Sequence, residues 1–197
     1  MIDFITPFGI ILLLVGLIAK ILNATPLASK TLLHRGAVLL LLLITFINFG
    51  DYSLFNFVYG IVGFFSLPTL VLLSLFSLRQ FGFGSTELSR TSKTLLASST
   101  LLISVVLYPS ATGFFDTDIY SFGYAYPISI LLVTLALVAL WFKQSLLALI
   151  YIVAWLAWLL QLNSSPNGFD YVLDFWLVAW SLMFLVSLLI GKLKGSR

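Results

Sequence analysis

Long apolar stretches and short polar segments alternate along the whole chain. Within a stretch the apolar residues are nearly continuous, without the period-two alternation that a membrane barrel strand requires. Helices are the other structure that satisfies every backbone polar group inside lipid. The pattern therefore predicts an all-α fold, a polytopic bundle of seven transmembrane helices. The predicted runs are approximately 4–21, 36–50, 57–78, 94–108, 126–142, 145–160 and 171–190.

Several of these runs are short for a membrane span. A helix of about 15 residues is about 22 Å long, whereas the hydrocarbon core of a bilayer is about 30 Å thick. Flanking side chains must then reach the interface, or the bilayer must thin locally. The first run lacks the basic segment that begins a signal peptide, so we expect it to remain as a helix.

The basic residues fall in alternate loops between the predicted helices. All ten lysines and arginines then lie on one side of the membrane, which the positive-inside rule makes the cytoplasmic side. The N-terminus is predicted outside and the C-terminus inside. Acids show the opposite distribution, since Glu87 alone is inside. The six aspartates at the outer face are Asp3, Asp51, Asp116, Asp118, Asp170 and Asp174.

Composition supports a membrane protein with a single domain, residues 1–197. The chain is 61% hydrophobic and 9% charged, against about a quarter charged residues in soluble domains. The net charge of +3 is divided among separate loops, so nucleic acid is not an expected partner, whereas the lipid bilayer is. Absence of cysteine excludes disulfides and thiolate chemistry.

An aromatic-rich loop follows the fourth run. Aromatic side chains favour the membrane–water interface, so we expect this loop to lie along the outer surface. It contains Asp116-Thr117-Asp118, and two carboxylates at this spacing can share Mg²⁺ or Ca²⁺. Solvated loop acids are the alternative interpretation. The aromatic residues are Tyr108, Phe114, Phe115, Tyr120, Phe122, Tyr124 and Tyr126.

A second pair of acids precedes the seventh run. If that helix begins near Phe169, Asp170 and Asp174 lie on one helical face and repel each other mildly. A bound cation, a protonated Asp174 or a basic partner would relieve the repulsion. Attraction to the helix N-terminus explains both acids without a ligand. Asp116, Asp118, Asp170 and Asp174 are thus candidate ligands for a divalent cation at the outer face, and no other cofactor is indicated.

The interior of the predicted bundle is apolar. No ionisable residue lies near the centre of a run, which counts against an ion-coupled transporter. In run three, Pro68 lacks a backbone N–H, and its ring would clash with the carbonyl of Phe64 in a continuous helix. A kink or hinge is therefore expected there. Asn163-Ser164-Ser165 fits a glycosylation acceptor. Hydroxyls of run four either bond to their own helix or line a polar cavity, and these are Ser98, Ser99, Thr100 and Ser104.

No catalytic motif occurs in the sequence, so catalytic residues remain unknown. The leading hypothesis is a non-enzymatic partner subunit or binding module of a bacterial plasma (inner) membrane. Its acidic, aromatic-rich outer face would contact another membrane or envelope protein. One alternative is a membrane enzyme for a lipid-linked substrate at the outer leaflet, with Asp116, Asp118 and Asp174 as metal or acid–base groups. The other is a facilitator for a neutral solute, which would use the Pro68 hinge and the run-four hydroxyls.

Overall fold

The computed structural model describes residues 5–26, 31–83 and 87–195, and this part of the chain is largely helical. The predicted all-α class is therefore confirmed. Two 3-10 helices, Ile119–Tyr124 and Gly168–Tyr171, and a hairpin of two-residue strands, β1 (Asn48–Phe49) and β2 (Tyr52–Ser53), interrupt the α-helices. The α-helices are α1 (Ile5–Asn23), α2 (Thr31–Ile44), α3 (Leu54–Val62), α4 (Leu67–Gln80), α5 (Arg90–Ala111), α6 (Tyr126–Trp141), α7 (Ser145–Leu159) and α8 (Phe175–Gly195).

Three helices in the described part of the chain are long and apolar enough to cross a membrane, namely α1, α5 and α8. Four further apolar helices, α2, α4, α6 and α7, have between 14 and 16 residues each. The fold is thus compatible with membrane integration. Membrane crossing by the four shorter helices, and with it the count of seven, stays a prediction.

The third predicted run is not one helix kinked at Pro68. Helix α3 ends at Val62, Gly63 adopts a φ of 74°, and α4 begins only at Leu67. Pro68 is the second residue of α4, where its missing N–H costs little because the first N–H groups of a helix have no intrahelical partner. The expected kink is therefore wrong, since the helix is interrupted before the proline. A hinge role for Pro68 stays a prediction.

The described residues form two compact units. One comprises 66–69 and 88–195, and in it α6 packs against α7 and α5 packs against α8. The other comprises 5–26, 31–65, 70–83 and 87, and in it α1 packs against α2 and α3. Gly16 permits a close approach within this second unit, because a Cβ there would lie 2.6 Å from the Phe76 ring. That all 197 residues form one membrane domain stays a prediction.

A polar cluster fixes the start of α5 against the turn between α6 and α7. The Ser89 hydroxyl accepts a hydrogen bond from the Ser92 N–H at 3.0 Å, which is an N-cap. Both serine hydroxyls donate to the Oε1 atom of Gln144, at 2.5 Å from Ser89 and 2.7 Å from Ser92. The cap explains why α5 begins four residues before the apolar run that predicted it, at Arg90.

Candidate functional site

Asp174 is a buried carboxylate that caps two helices at once. Its exposed fraction is 2%. The Oδ1 atom accepts a hydrogen bond from the N–H of Leu177 at 2.7 Å, which is the geometry of an N-cap for α8. The Oδ2 atom accepts from the Ser66 N–H at 2.7 Å, the Ser66 hydroxyl at 2.6 Å and the Thr69 hydroxyl at 2.5 Å. Because Ser66 directly precedes α4, one side chain satisfies the beginnings of both α4 and α8.

Helix ends and hydroxyls, rather than an ion pair, surround the Asp174 carboxylate. A helix N-terminus carries the equivalent of about half a positive charge, and two such ends converge on this side chain. In the part of the chain that the structure describes, the ion pair present is that of Arg79 with Glu87. Four donated hydrogen bonds thus account for the burial of Asp174 without a cation.

Asp170 belongs to a different local structure. It lies in the 3-10 helix Gly168–Tyr171, whereas α8 begins at Phe175, so the prediction that Asp170 and Asp174 share a helical face is wrong. The Tyr120 hydroxyl donates to Asp170 Oδ2 at 2.9 Å. Burial raises the pKa of Asp170, and hydrogen bonds from Ser165 and Tyr120 partly oppose that rise. Burial and the nearby Asp170 carboxylate in turn raise the pKa of Tyr120.

Asn167 joins the two 3-10 helices. Its side chain is fully buried, its Nδ2 donates to the Tyr120 carbonyl at 2.8 Å, and its Oδ1 accepts from the Phe169 N–H at 2.9 Å. Gly123 passes so close to this amide that a Cβ at position 123 would overlap the Asn167 Oδ1 atom. A residue with a side chain at 123 would therefore displace the amide that holds the two elements together.

The loop between α7 and α8 is closed by a buried tyrosine. The Tyr171 hydroxyl accepts from the Asn163 N–H at 2.9 Å and donates to the Ser165 carbonyl at 3.2 Å. The Asn163 side chain is fully buried, and its Nδ2 has no hydrogen-bond partner among the described residues. The Asn163 amide is thus inaccessible to modification in the folded chain.

Residues 112–126, called the outer segment below, present the exposed aromatic side chains. The backbone of the segment is fixed by Ser110, whose hydroxyl donates to the Thr117 carbonyl at 3.0 Å and accepts from the Ile119 N–H at 2.5 Å. Asp116 and Asp118 are both exposed. The exposed aromatic residues are Phe114 (80%), Phe115 (44%), Phe122 (44%), Tyr124 (55%) and Tyr126 (84%).

The four predicted cation ligands fall into three local structures, since Asp116 and Asp118 lie in the outer segment, Asp170 in a 3-10 helix and Asp174 directly before α8. Asp118 begins a 3-10 helix by accepting the Tyr120 N–H at 3.0 Å, while Asp170 and Asp174 have the partners given above. Within residues 5–26, 31–83 and 87–195, no group of three or more acidic, histidine or cysteine side chains is placed to hold a metal ion. Asp116 and Asp118 stay a predicted cation pair.

Two of the four run-four hydroxyls, Ser98 and Ser99, line a cavity whose wall is mostly apolar, so the polar cavity stays a prediction. Its volume is about 190 Å³, and Ser98, Ser99 and Tyr151 supply polar groups among apolar side chains of α5, α6 and α7. The Ser99 and Tyr151 hydroxyls are 2.8 Å apart. Ser99 and Ser104 also donate to their own helix, at the Leu96 and Leu101 carbonyls, as the other interpretation expected. Transport of a neutral solute through this region stays a prediction.

Sequence reasoning missed the partners of Asp174. Ser66-Leu67-Pro68-Thr69 carries the signal of a helix start, with serine at the N-cap and proline in the first turn. This signal marks Ser66 and Thr69 as possible hydrogen-bond donors to a buried carboxylate. No comparable signal marks Asn167 or Gly123, because their role depends on contacts between loops.

Comparisons with protein-family models, curated proteins and solved structures give no match for this chain. Function is therefore inferred from the residues and contacts described above.

Proposed function

We propose that the protein is a non-enzymatic membrane binding module whose outer segment docks a basic segment of another membrane or envelope protein. The observation that carries this proposal is the combination of exposed aromatic side chains and exposed aspartates on a hydrogen-bonded backbone. Hydrogen bonds from Ser110 and Asn167 fix that backbone at Thr117, Ile119 and Tyr120, in the middle of the segment. A surface fixed before binding loses less conformational entropy on association than a mobile one.

Charge supports a basic partner. The chain has no lysine or arginine between residues 94 and 142, so Asp116 and Asp118 have no basic neighbour in their part of the sequence. Arginine from a partner can pair with these carboxylates and also stack on tyrosine or phenylalanine rings. Aromatic side chains contribute disproportionately to binding energy in protein interfaces.

The hydrogen bonds of Asp174 favour the binding module over the enzyme alternative. That alternative gives Asp174 a metal or acid–base role, yet both of its carboxylate oxygens cap helices. The capping contacts support a structural role for this acid. The proposal accordingly places recognition on the exposed acids Asp116 and Asp118, and leaves Asp174 to maintain the fold.

Photocrosslinking tests the docking proposal. A photoreactive phenylalanine analogue at Phe114, which is 80% exposed, should give a protein adduct of discrete mass in intact cells. The same analogue at Leu102, which is 73% exposed within α5, is the matched control and should label lipid. In an Asp116→Asn, Asp118→Asn background, we expect the Phe114 adduct to fall at least about tenfold at equal expression, because two charge-assisted contacts are lost.

The charge dependence distinguishes docking from accidental proximity. Higher salt in spheroplasts should weaken the adduct in the native background. Millimolar Mg²⁺ or Ca²⁺ should compete with the partner if Asp116 and Asp118 bind the cation instead. An adduct that persists unchanged in the double variant would contradict the proposal, as would labelling of lipid alone. Once mass spectrometry has identified the partner, a photoreactive analogue placed on its basic segment should crosslink to this protein in return.

We further propose that seven helices cross a bacterial plasma membrane, with the N-terminus outside and the C-terminus in the cytoplasm. In this arrangement α4 is the third span, and α3 precedes it as a separate helix. No residue of α3 is buried, and the side chains of Phe57 and Ile61 are 60% and 61% exposed. The distribution of all ten basic residues supports the orientation.

Reporter fusions at two positions separate seven spans from three. If α1, α5 and α8 alone crossed the membrane, residue 51 would be cytoplasmic and residue 143 would be outside. With seven spans the two locations are reversed, because α2 and α6 also cross. Fusions at 115 and 165 should report the outside, and fusions at 85 and 197 the cytoplasm, in both arrangements. A cytoplasmic signal at 115 would contradict the orientation itself.

A further inference from the structure

A polar cavity lies in the second unit, at the end that carries Lys20, Arg35 and Arg79. Its volume is about 230 Å³, and its wall includes Asn23 of α1, His34 and Arg35 of α2, and Gln80 of α4. The Asn23 amide donates to the Gln80 carbonyl at 3.0 Å, which joins the ends of α1 and α4 beside the cavity. This volume is several times the roughly 30 Å³ that a water molecule occupies, so a group of several heavy atoms fits.

His34 lines this cavity, and one of its ring nitrogens has no hydrogen-bond partner among the described residues. The residue is 5% exposed, and its Nε2 atom is buried without a partner among the described residues. The ring packs edge-on against Phe81, with ring centroids 6.1 Å apart. A buried polar atom left unpaired costs free energy, so a ligand atom that pairs with His34 would recover that cost.

The electrostatics of the cavity favour an anion. Arg35 is exposed and has no carboxylate partner in the described part of the chain, where Arg79 pairs with Glu87. The first turn of α2 lies at the cavity, since Thr31, the first residue of the helix, also lines it. A helix N-terminus attracts negative charge through its unpaired N–H groups. Arginine, histidine and helix end thus all offer donors or positive charge.

We propose that this cavity binds a phosphate group, carried either by an anionic lipid headgroup or by a small soluble phosphate compound. Arginine donates to phosphate oxygens in a fixed fork, and His34 would donate to a further oxygen. A lipid source fits the surroundings, because Leu32, Leu39 and Leu43 of α2 are 83%, 57% and 56% exposed and offer an apolar surface for acyl chains. This site is independent of the outer segment.

Two matched probes test the phosphate requirement on the purified full chain in a neutral detergent. Dioctanoyl phosphatidic acid and dioctanoylglycerol differ only in the phosphate group, and native mass spectrometry gives the affinity of each. We expect the phosphatidic acid to bind at least about tenfold more tightly, because only its phosphate group accepts charge-assisted hydrogen bonds in the cavity. Equal affinity for the two lipids, or no binding of either, would overturn the proposal.

Variants locate the bound phosphate. Arg35→Gln removes the exposed cation and His34→Gln alters the buried donor, and each should weaken phosphatidic acid binding at least about tenfold. Lys20→Gln is the matched control, because Lys20 is an exposed cation in the last turn of α1 that does not line the cavity, and it should change the affinity less than about twofold. If Lys20→Gln and Arg35→Gln weaken binding equally, general charge attraction explains the result and the site is rejected. Arg35→Gln decides the matter if His34→Gln fails to fold.

The source of the phosphate is distinguished by competition. Inorganic phosphate that displaces phosphatidic acid in native protein but not in Arg35→Gln would assign the site to small phosphate compounds. Displacement by a second anionic lipid, phosphatidylglycerol, with no effect of inorganic phosphate, would assign it to a lipid headgroup. Both outcomes support a phosphate site and differ only in what carries the phosphate.

Discussion

Replacement of Asp174 by alanine should lower the free energy of unfolding by at least about 3 kcal/mol. Four donors lose their acceptor together, and each buried donor left unpaired costs about 1–3 kcal/mol. These four bonds include the N-cap of α8, which the Leu177 N–H forms with Asp174. Asp174→Asn should have an intermediate effect, because one amide oxygen still accepts while the amide nitrogen faces a donor. Chemical unfolding of the purified chain in detergent measures the order alanine, asparagine, native.

Asp116→Ala is the control for Asp174→Ala. Asp116 is exposed, so its loss should change the unfolding free energy by no more than about 0.5 kcal/mol. If Asp174→Ala were as stable as Asp116→Ala, the double capping role would be rejected. Millimolar Mg²⁺ tests the alternative that Asp174 binds a cation. A bound cation would stabilise the native chain and not Asp174→Asn.

Gly123→Ala should cost about 1–3 kcal/mol and also reduce docking at the outer segment. A methyl group at 123 overlaps the Asn167 amide and lies 2.7 Å from the Phe169 ring, so the buried amide must move. Movement of Asn167 weakens its hydrogen bonds to Tyr120 and Phe169, which fix the segment. The thermal unfolding temperature and the yield of the Phe114 crosslink should therefore decrease together.

Gly36→Ala provides the matched comparison. Gly36 lies in α2, and a Cβ there meets no atom within 4 Å. Alanine is favoured over glycine inside a helix by about 0.5–1 kcal/mol, so this variant should be slightly more stable than the native chain. Equal stability of Gly123→Ala and Gly36→Ala would show that the outer loops accommodate the methyl group, which would contradict the close approach at Asn167.

Helix positions were largely predictable because apolar runs in this chain have few alternatives. The runs at 126–142 and 145–160 correspond to α6 and α7 within a residue at each end. Ends were less predictable where capping, not hydropathy, determines the boundary. Helix α5 extends through Arg90 and Lys93, which hydropathy excludes, because Ser89 and Gln144 stabilise its start.

The error at Pro68 has a physical cause. Hydropathy is continuous across 57–78, and a proline within an apolar run predicts a kink if the run is one helix. The deciding features are a positive φ at Gly63 and a cap at Ser66, and the cap acceptor lies 108 residues away in the sequence. The spacing of Asp170 and Asp174 misled for a similar reason, since a four-residue interval indicates a shared face only within one continuous helix.

The order of synthesis gives the double cap of Asp174 a consequence for biogenesis. Ser66 leaves the ribosome well before Asp174, because 108 residues separate them. During that interval the start of α4 has no carboxylate to accept its donors, and apolar lipid offers none. Packing of α8 therefore supplies the acceptor for the start of α4. A nascent chain that stalls before residue 174 leaves the donors at 66–69 without that acceptor. We expect a locally open end of this kind to be more susceptible to proteolysis, so that the arrival of Asp174 would complete and protect the first unit.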